Sequence, residues 1–143
     1  HSDIPLDVHL MIEKPERYIK NFAPYSHFLN IHFEATDDPE KVLKEIRELG
    51  CKPAITIKPN TKPSEIFHLL PLVDMVLVMS VEPGFGGQKF MPQALEKLTA
   101  LKDEINKKYG LNLKCLSMGM SDDYKEALAC GATHIRLGRI LWN

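Results

Sequence analysis

The stretch Phe28-Leu-Asn-Ile-His-Phe-Glu34 sets Leu29, Ile31 and Phe33 against Asn30, His32 and Glu34. Side chains of a strand alternate between its two faces, so this segment reads as a strand with one apolar and one polar side. The pattern recurs to either side of it. Leu6, Val8, Leu10 and Ile12 oppose Asp7, His9 and Met11; Ile55 and Ile57 oppose Thr56 and Lys58; Ile135 and Leu137 oppose His134 and Arg136. Strands of an open doubly wound sheet are covered by helices on both faces and read apolar on both. One apolar and one polar face predict a barrel-like arrangement instead of a flavodoxin-like one, with helices outside and the polar side turned inward near a ligand. The Met75–Val81 segment, apolar on both sides, is the exception.

Strand-like and helix-like segments alternate along the whole chain. Strands are predicted at Leu6–Ile12, Phe28–Glu34, Pro53–Lys58, Met75–Val81, Leu113–Ser117 and His134–Leu137. Helices are predicted near Pro15–Phe22, Pro39–Leu49, Pro63–Leu70, Met91–Lys108 and Asp122–Cys130. Asp38-Pro39 pairs a capping side chain with a proline at the first helical position, and Ser121-Asp122-Asp123 repeats the cap with acidic first-turn residues. Gly50, Gly110 and Gly131 stand where helix C-caps belong. Each crossover needs a helix, so the sheet is predicted to be parallel.

The chain has 143 residues, and a complete eight-stranded β/α barrel usually takes about 250. The fold class expected is therefore α/β: six consecutive βα units of a TIM barrel, forming one partial or rearranged barrel domain over residues 1–143. A formal net charge of −1 points to no nucleic-acid or membrane-surface partner. The longest apolar run, Met75–Met79, is far short of the roughly 18 residues of a membrane helix. Cys51, Cys115 and Cys130 are odd in number and far apart, which predicts neither a disulfide nor a zinc site and suits a reducing cytoplasm. No secretory signal is expected.

Four places carry candidate chemistry. His9 stands alone on its strand. His32 and Glu34 share a face two residues apart, a spacing that suits a metal pair, an acid–base pair or a structural His–Glu hydrogen bond, the last being favoured. Glu82-Pro-Gly-Phe-Gly-Gly-Gln88 follows a strand and has the backbone freedom of a lid, or of a plain mobile connector. Ser117-Met-Gly-Met-Ser121 follows a strand and opens a helix, and Arg136-Leu-Gly138 ends the next strand. Together they predict a phosphate cradle of amides, hydroxyls and a guanidinium at the end of a barrel where such sites are common.

At these residues two resemblances enter. Leu6–Ile12, His32-Phe-Glu-Ala-Thr36, Ile57-Lys-Pro59 and Val78–Phe90 resemble ribulose-phosphate 3-epimerase, from about residue 6 to 108, over strands three to six of that family's barrel. Leu116–Asp123 and Gly131–Gly138 resemble the pyridoxal-phosphate homeostasis (alanine-racemase-like) proteins, over about residues 113–142, as strands seven and eight of another β/α barrel. The two meet in structural register, which implies a recombined chain, most simply an engineered chimera.

The epimerase resemblance implies a divalent metal, of whose ligands only His9 is present, and two aspartate acid–base groups. One of these falls at Ser117, and the other belongs to a strand outside the resemblance. Met11 and Met79 match methionines lining that family's site, and Gly84, Phe85, Gly86 and Gly87 match its lid. The second resemblance implies a phosphate grip at Ser117, Met118, Gly119, Met120, Ser121, Arg136 and Gly138, without the lysine that links the cofactor. The function expected is a recombined barrel fragment with a vestigial phosphate site and no complete catalytic set. The alternatives are a phosphosugar isomerase completed by a second chain and a non-covalent pyridoxal-phosphate binder. No cofactor and no divalent metal are expected; phosphate or sulfate, a phosphorylated small molecule and a second copy of the chain are.

Overall fold

The computed structural model describes residues 4–79, 93–110, 117, 124–129 and 131–135. They belong to two compact units, residues 1–87 and 88–143. In the first unit, β1 (Asp7–Leu10), β2 (Phe28–His32), β3 (Lys52–Ile57) and β4 (Met75–Val78) form one parallel sheet in the order β1-β2-β3-β4. Each strand is added on the same side as the last. A doubly wound sheet reverses direction at its switch point, and this one does not. The winding is that of a TIM-barrel-like α/β fold, as the two-faced strands predict.

The register explains the two faces. His9 pairs with Asn30, and His32 with Thr56, so these four polar residues share one side of the sheet. On the other side Leu29, Ile31, Ile55 and Ile57 are completely buried, as are Leu43 and Ile46 of α2 (Pro39–Glu48) and Ile66 and Leu69 of a 3-10 helix at Pro63–Leu72. Helix α2 packs on β3 and on that 3-10 helix. Each such side chain contributes roughly 1.5–3 kcal/mol of burial, so this layer carries the stability of the first unit.

Local signals work as expected at α2. Asp38 Oδ1 accepts the Lys41 N–H at 3.0 Å, Pro39 begins the helix, and Gly50 follows its end at φ +85°. Elsewhere the boundaries shift. Strand β1 is shorter than Leu6–Ile12. The helix expected at Pro15–Phe22 is a 3-10 turn (Pro15–Arg17) followed by the short α1 (Ile19–Phe22). The Pro63 helix is wholly 3-10 and contains Pro71, which has no N–H to give an α-helical ladder.

Strand β2 stops at His32 because Phe33–Ala35 closes into a 3-10 turn. Glu34 therefore leaves the strand on which the sequence put it. The turn is tied to the β1 loop by Lys14 N–H donating to Ala35 O at 2.9 Å. Lys14 adopts φ +51°, and among the described residues it is the one non-glycine in that region, a conformation that costs a lysine on the order of 1–2 kcal/mol.

The second unit contains α3 (Gln93–Tyr109), which buries Leu101 and Ile105 one turn apart, and α4 (Tyr124–Ala129), which buries Ala127. Helix α4 ends as the sequence predicts: Gly131 at φ +88° donates to Leu128 O at 3.0 Å and Ala132 donates to Ala127 O at 3.0 Å. Of the last two predicted strands, the described residues show one parallel bridge, between Ser117 and His134. Leu113–Leu116 and Arg136–Leu137 lie outside the described residues.

Candidate functional site

The polar side of the first sheet is a connected ladder. Thr56 Oγ1 donates to Asn30 Oδ1 at 2.8 Å, deep in the sheet. With its proton so used, Thr56 Oγ1 accepts from His9 Nε2, 3.3 Å away. His9 Nε2 also lies 2.8 Å from His32 Nε2. The two rings are nearly parallel, 18° apart, but their centres are 4.8 Å apart. The nitrogens are thus much closer than the ring centres, and it is ring edges that meet. One proton serves this contact: His9 Nε2–H donates and His32 Nε2 accepts. His32 then carries its own proton on Nδ1, 3.7 Å from Glu34 Oε2.

That separation is an ion-pair distance and too long for a hydrogen bond. His32 Nδ1 and Asn30 Nδ2 are buried without a hydrogen-bond partner among the described residues. The structural His–Glu hydrogen bond favoured from sequence is therefore not made. Its physical reason is the early end of β2: in the 3-10 turn, Glu34 reaches across to β3 instead. Its Oε1 accepts the Lys58 backbone N–H at 2.9 Å and the Thr61 hydroxyl.

These contacts set the protonation of the site. Burial holds the His32 imidazole below its ordinary value, with Lys58 adding to the effect and the Glu34 carboxylate opposing it. Burial alone would raise the Glu34 carboxyl, but the Lys58 N–H and the Thr61 hydroxyl outweigh it, so Glu34 stays ionised further into acid than usual. At neutral pH His32 is a neutral imidazole beside a carboxylate already engaged as an acceptor.

A cavity of about 310 Å³ opens beside His32, lined by Met11, His32, Glu34, Ala35 and Lys58 with Ile12 and Glu13. Met11 borders this cavity and is 55% exposed. Met79 follows β4, half-buried, with its N–H bonded to Ile57 O at 2.9 Å. A larger concavity of about 630 Å³ runs beside α2 among Asp38, Lys41, Lys44 and Glu48. No strand end contributes to it, and its charged side chains belong to the solvated outer face.

Ser117 lies in the second unit, exposed, at its bridge to His134. The rest of the expected phosphate grip, Met118, Gly119, Met120, Ser121, Arg136 and Gly138, lies outside the described residues, as do the lid residues Gly84, Phe85, Gly86 and Gly87. Sequence reading missed Asn30 and Thr56 as parts of the site. Their only signal was the polar face they share with His9 and His32, and the register that joins them is not written in any one strand.

The model of the Ribulose-phosphate 3 epimerase family matches residues 1–142. This chain belongs to that family. It is 40% identical over 129 residues to the ribulose-phosphate 3-epimerase of Mycobacterium bovis, covering 90% of this chain and 56% of that protein. The corresponding protein of Candida glabrata is 48% identical over 100 residues, 69% of this chain and 41% of its own length. That of Helicobacter pylori strain 26695 is 45% identical over 116 residues, 80% and 52%. The chain spans about half the length of the curated relatives it matches.

Among solved structures, PipY of Synechococcus elongatus PCC7942 with PLP bound superposes with a TM-score of 0.58, at 22% identity, over 99% of this chain and 73% of that one. Its PLP-free form gives 0.57 at 23% identity, with the same coverage. At these identities the likeness speaks for the fold.

The epimerase resemblance implies a divalent metal with carboxylates among its ligands. The described residues do not supply that set. No group of three or more His, Cys, Asp or Glu that could hold a metal ion occurs among them, and Ser117 stands where the resemblance places an aspartate. The donors present at His9 are a second imidazole and a hydroxyl.

Proposed function

We propose that this chain holds a phosphorylated sugar, or a related small anion, and does not by itself interconvert ribulose 5-phosphate and xylulose 5-phosphate at an enzymatic rate. The observation that carries this reading is the state of Glu34. It is the carboxylate beside His32, and its Oε1 is taken up by Lys58 and Thr61. Epimerisation next to a carbonyl needs a free base on one side and an acid on the other. Glu13, which also lines the cavity, is exposed. Ser117 offers a hydroxyl in place of a carboxylate.

Ligand holding rests on the cavity of the first unit and, separately, on the phosphate grip that the resemblance implies at Ser117–Ser121 and Arg136–Gly138. The recombined origin belongs to the same proposal. Residues 113–142 resemble pyridoxal-phosphate homeostasis proteins and the PipY structures share the fold, while the epimerase family model runs on to residue 142. A second reading, a phosphosugar isomerase completed by carboxylates from another chain, draws on the 40% identity that extends over 90% of this chain. A buried thiol at Cys51, with no disulfide, suits the reducing cytoplasm proposed for it. Among the described residues no helix is long and apolar enough to cross a membrane.

The reading is tested by titrating ribulose 5-phosphate and inorganic phosphate while following the amides of Glu34, Lys58 and Ser117. Saturable shifts are expected, with Ser117 answering to both compounds. Spectra unchanged by either compound would overturn ligand holding.

A further inference from the structure

One donor and one acceptor beside the cavity lie close together without bonding. His32 Nδ1 is buried with no hydrogen-bond partner, and Glu34 Oε2 stands 3.7 Å from it. Both residues line the cavity, together with Lys58 and the apolar Met11, Ile12 and Ala35. We propose that His32 and Glu34 form a hydroxyl-reading subsite: a ligand hydroxyl enters between them, accepts from His32 Nδ1–H and donates to Glu34 Oε2. This rests on the reading of the chain as holding a phosphorylated sugar, and it names the part of that ligand which the cavity recognises, its neutral polyol chain.

The proton count sets the donor. His32 Nε2 accepts from His9, so the proton of the His32 ring sits on Nδ1 and that atom can only donate. His32 is 4% exposed, and a buried donor left unsatisfied is costly, so a ligand that accepts this proton gains by relieving it. The acceptor is held short of doing so. Glu34 Oε1 takes the Lys58 N–H at 2.9 Å and the Thr61 hydroxyl, and moving the carboxylate onto His32 would draw it away from both.

A hydroxyl is the group that answers both sides. It accepts and donates through one oxygen, whereas a keto oxygen only accepts and a phosphate brings negative charge against Glu34 and Glu13, which line the same cavity. Two hydrogen bonds of about 2.8 Å meeting at a tetrahedral oxygen span roughly 4.5 Å, so the 3.7 Å gap must widen by about 1 Å or less. The Glu34 side chain is 21% exposed against 5% for His32, so it is the carboxylate that gives way. Met11, Ile12 and Ala35 supply apolar surface for the C–H groups of the same chain.

The test is an NMR titration of the whole chain with ribitol, a pentitol without charge or carbonyl, following the His32 ring and the Glu34 amide. Both should shift saturably. Fully O-methylated ribitol, which accepts but cannot donate, should bind about tenfold more weakly or worse, the loss of one hydrogen bond to a charged group. Glu34→Gln keeps an oxygen for Lys58 and Thr61 but sets an amide donor opposite Nδ1–H, and should weaken ribitol by about the same factor. The two wild-type titrations decide the matter even if the variant fails to fold. Ribitol that leaves His32 and Glu34 unmoved, or a methylated compound that binds as well as ribitol, would overturn the subsite. Ribulose 5-phosphate that shifts Glu34 and Lys58 while ribitol shifts neither His32 nor Glu34 would overturn it and leave ligand holding intact. Ribitol binding with no response to ribulose 5-phosphate or phosphate would do the reverse.

Discussion

His9 Nε2 and His32 Nε2, on neighbouring parallel strands, lie 2.8 Å apart and share one proton. The pairing follows from register. His9 sits opposite Asn30, and His32 is one strand repeat further along the same face, so the two rings meet diagonally across the β1–β2 ladder. Thr56 on β3 then fixes the direction of the proton by spending its own on Asn30. Three strands thus order one chain of hydrogen bonds, of which His32 lines the cavity.

Thr56 is the link whose loss should be felt most sharply. Thr56→Val keeps the shape but leaves Asn30, already short of a partner at Nδ2, with no bond at Oδ1 either. A buried polar group left unsatisfied costs about 1–3 kcal/mol. Urea unfolding should show a loss in that range. The double variant Thr56→Val/Asn30→Leu should recover more than half of it, because both partners are then apolar. A double variant no more stable than the single one would show that the ladder is not the cause.

Acid should destabilise the first unit in two stages. Burial holds His32 below its ordinary value of 6.5, so the unfolded chain takes up this proton first and stability falls as pH drops below about 6.5 towards the folded value. Glu34 is also depressed, from 4.5, through its bonds to Lys58 and Thr61, so its contribution is present above 4.5 and lost as pH falls through the folded value. Denaturant midpoints measured from pH 7.5 down to 3.5 should show both stages, and His32→Gln should remove the first alone. A flat profile between pH 7 and 5 in the wild type would contradict this.

Self-association is expected from the surface near β1. Leu6, Met11, Ile12, Tyr18, Phe22 and Tyr25 are all more than a third exposed, Tyr25 reaching 72%. So many exposed large apolar side chains within twenty residues are unusual for a monomer, and covering them contributes roughly 25 cal/mol per Å². A two-fold dimer is the commonest solution. Sedimentation at micromolar concentration should give twice the chain mass of 16.3 kDa. A single species at 16.3 kDa would rule the dimer out.

Alternation of side chains made much of the fold legible. The polar faces of His9, Asn30, His32 and Thr56 foretold the winding, and Asp38-Pro39 and Gly50 marked both ends of α2. Three things were not readable. Glu34 was placed on a strand because its spacing from His32 fits one, whereas the 3-10 turn at Phe33–Ala35 is set by a tertiary bond from Lys14. The Pro63–Leu72 segment has helical composition, and its tightening into a 3-10 helix is legible only in hindsight, from Pro71. The His9–His32 contact depends on the register between two strands, which neither strand encodes by itself.

The central claim, a site that holds its ligand without an acid–base pair of its own, is tested most directly by proton exchange. Ribulose 5-phosphate is incubated with the protein in D₂O, with and without Ni²⁺ or Mn²⁺, and deuterium at C3 is followed by NMR. Each missing acid or base group removes about 10²–10⁴-fold of rate, so exchange should not rise above the protein-free background under any of these conditions. Exchange that depends on the metal, is accompanied by xylulose 5-phosphate formation and disappears in His9→Ala would contradict the account.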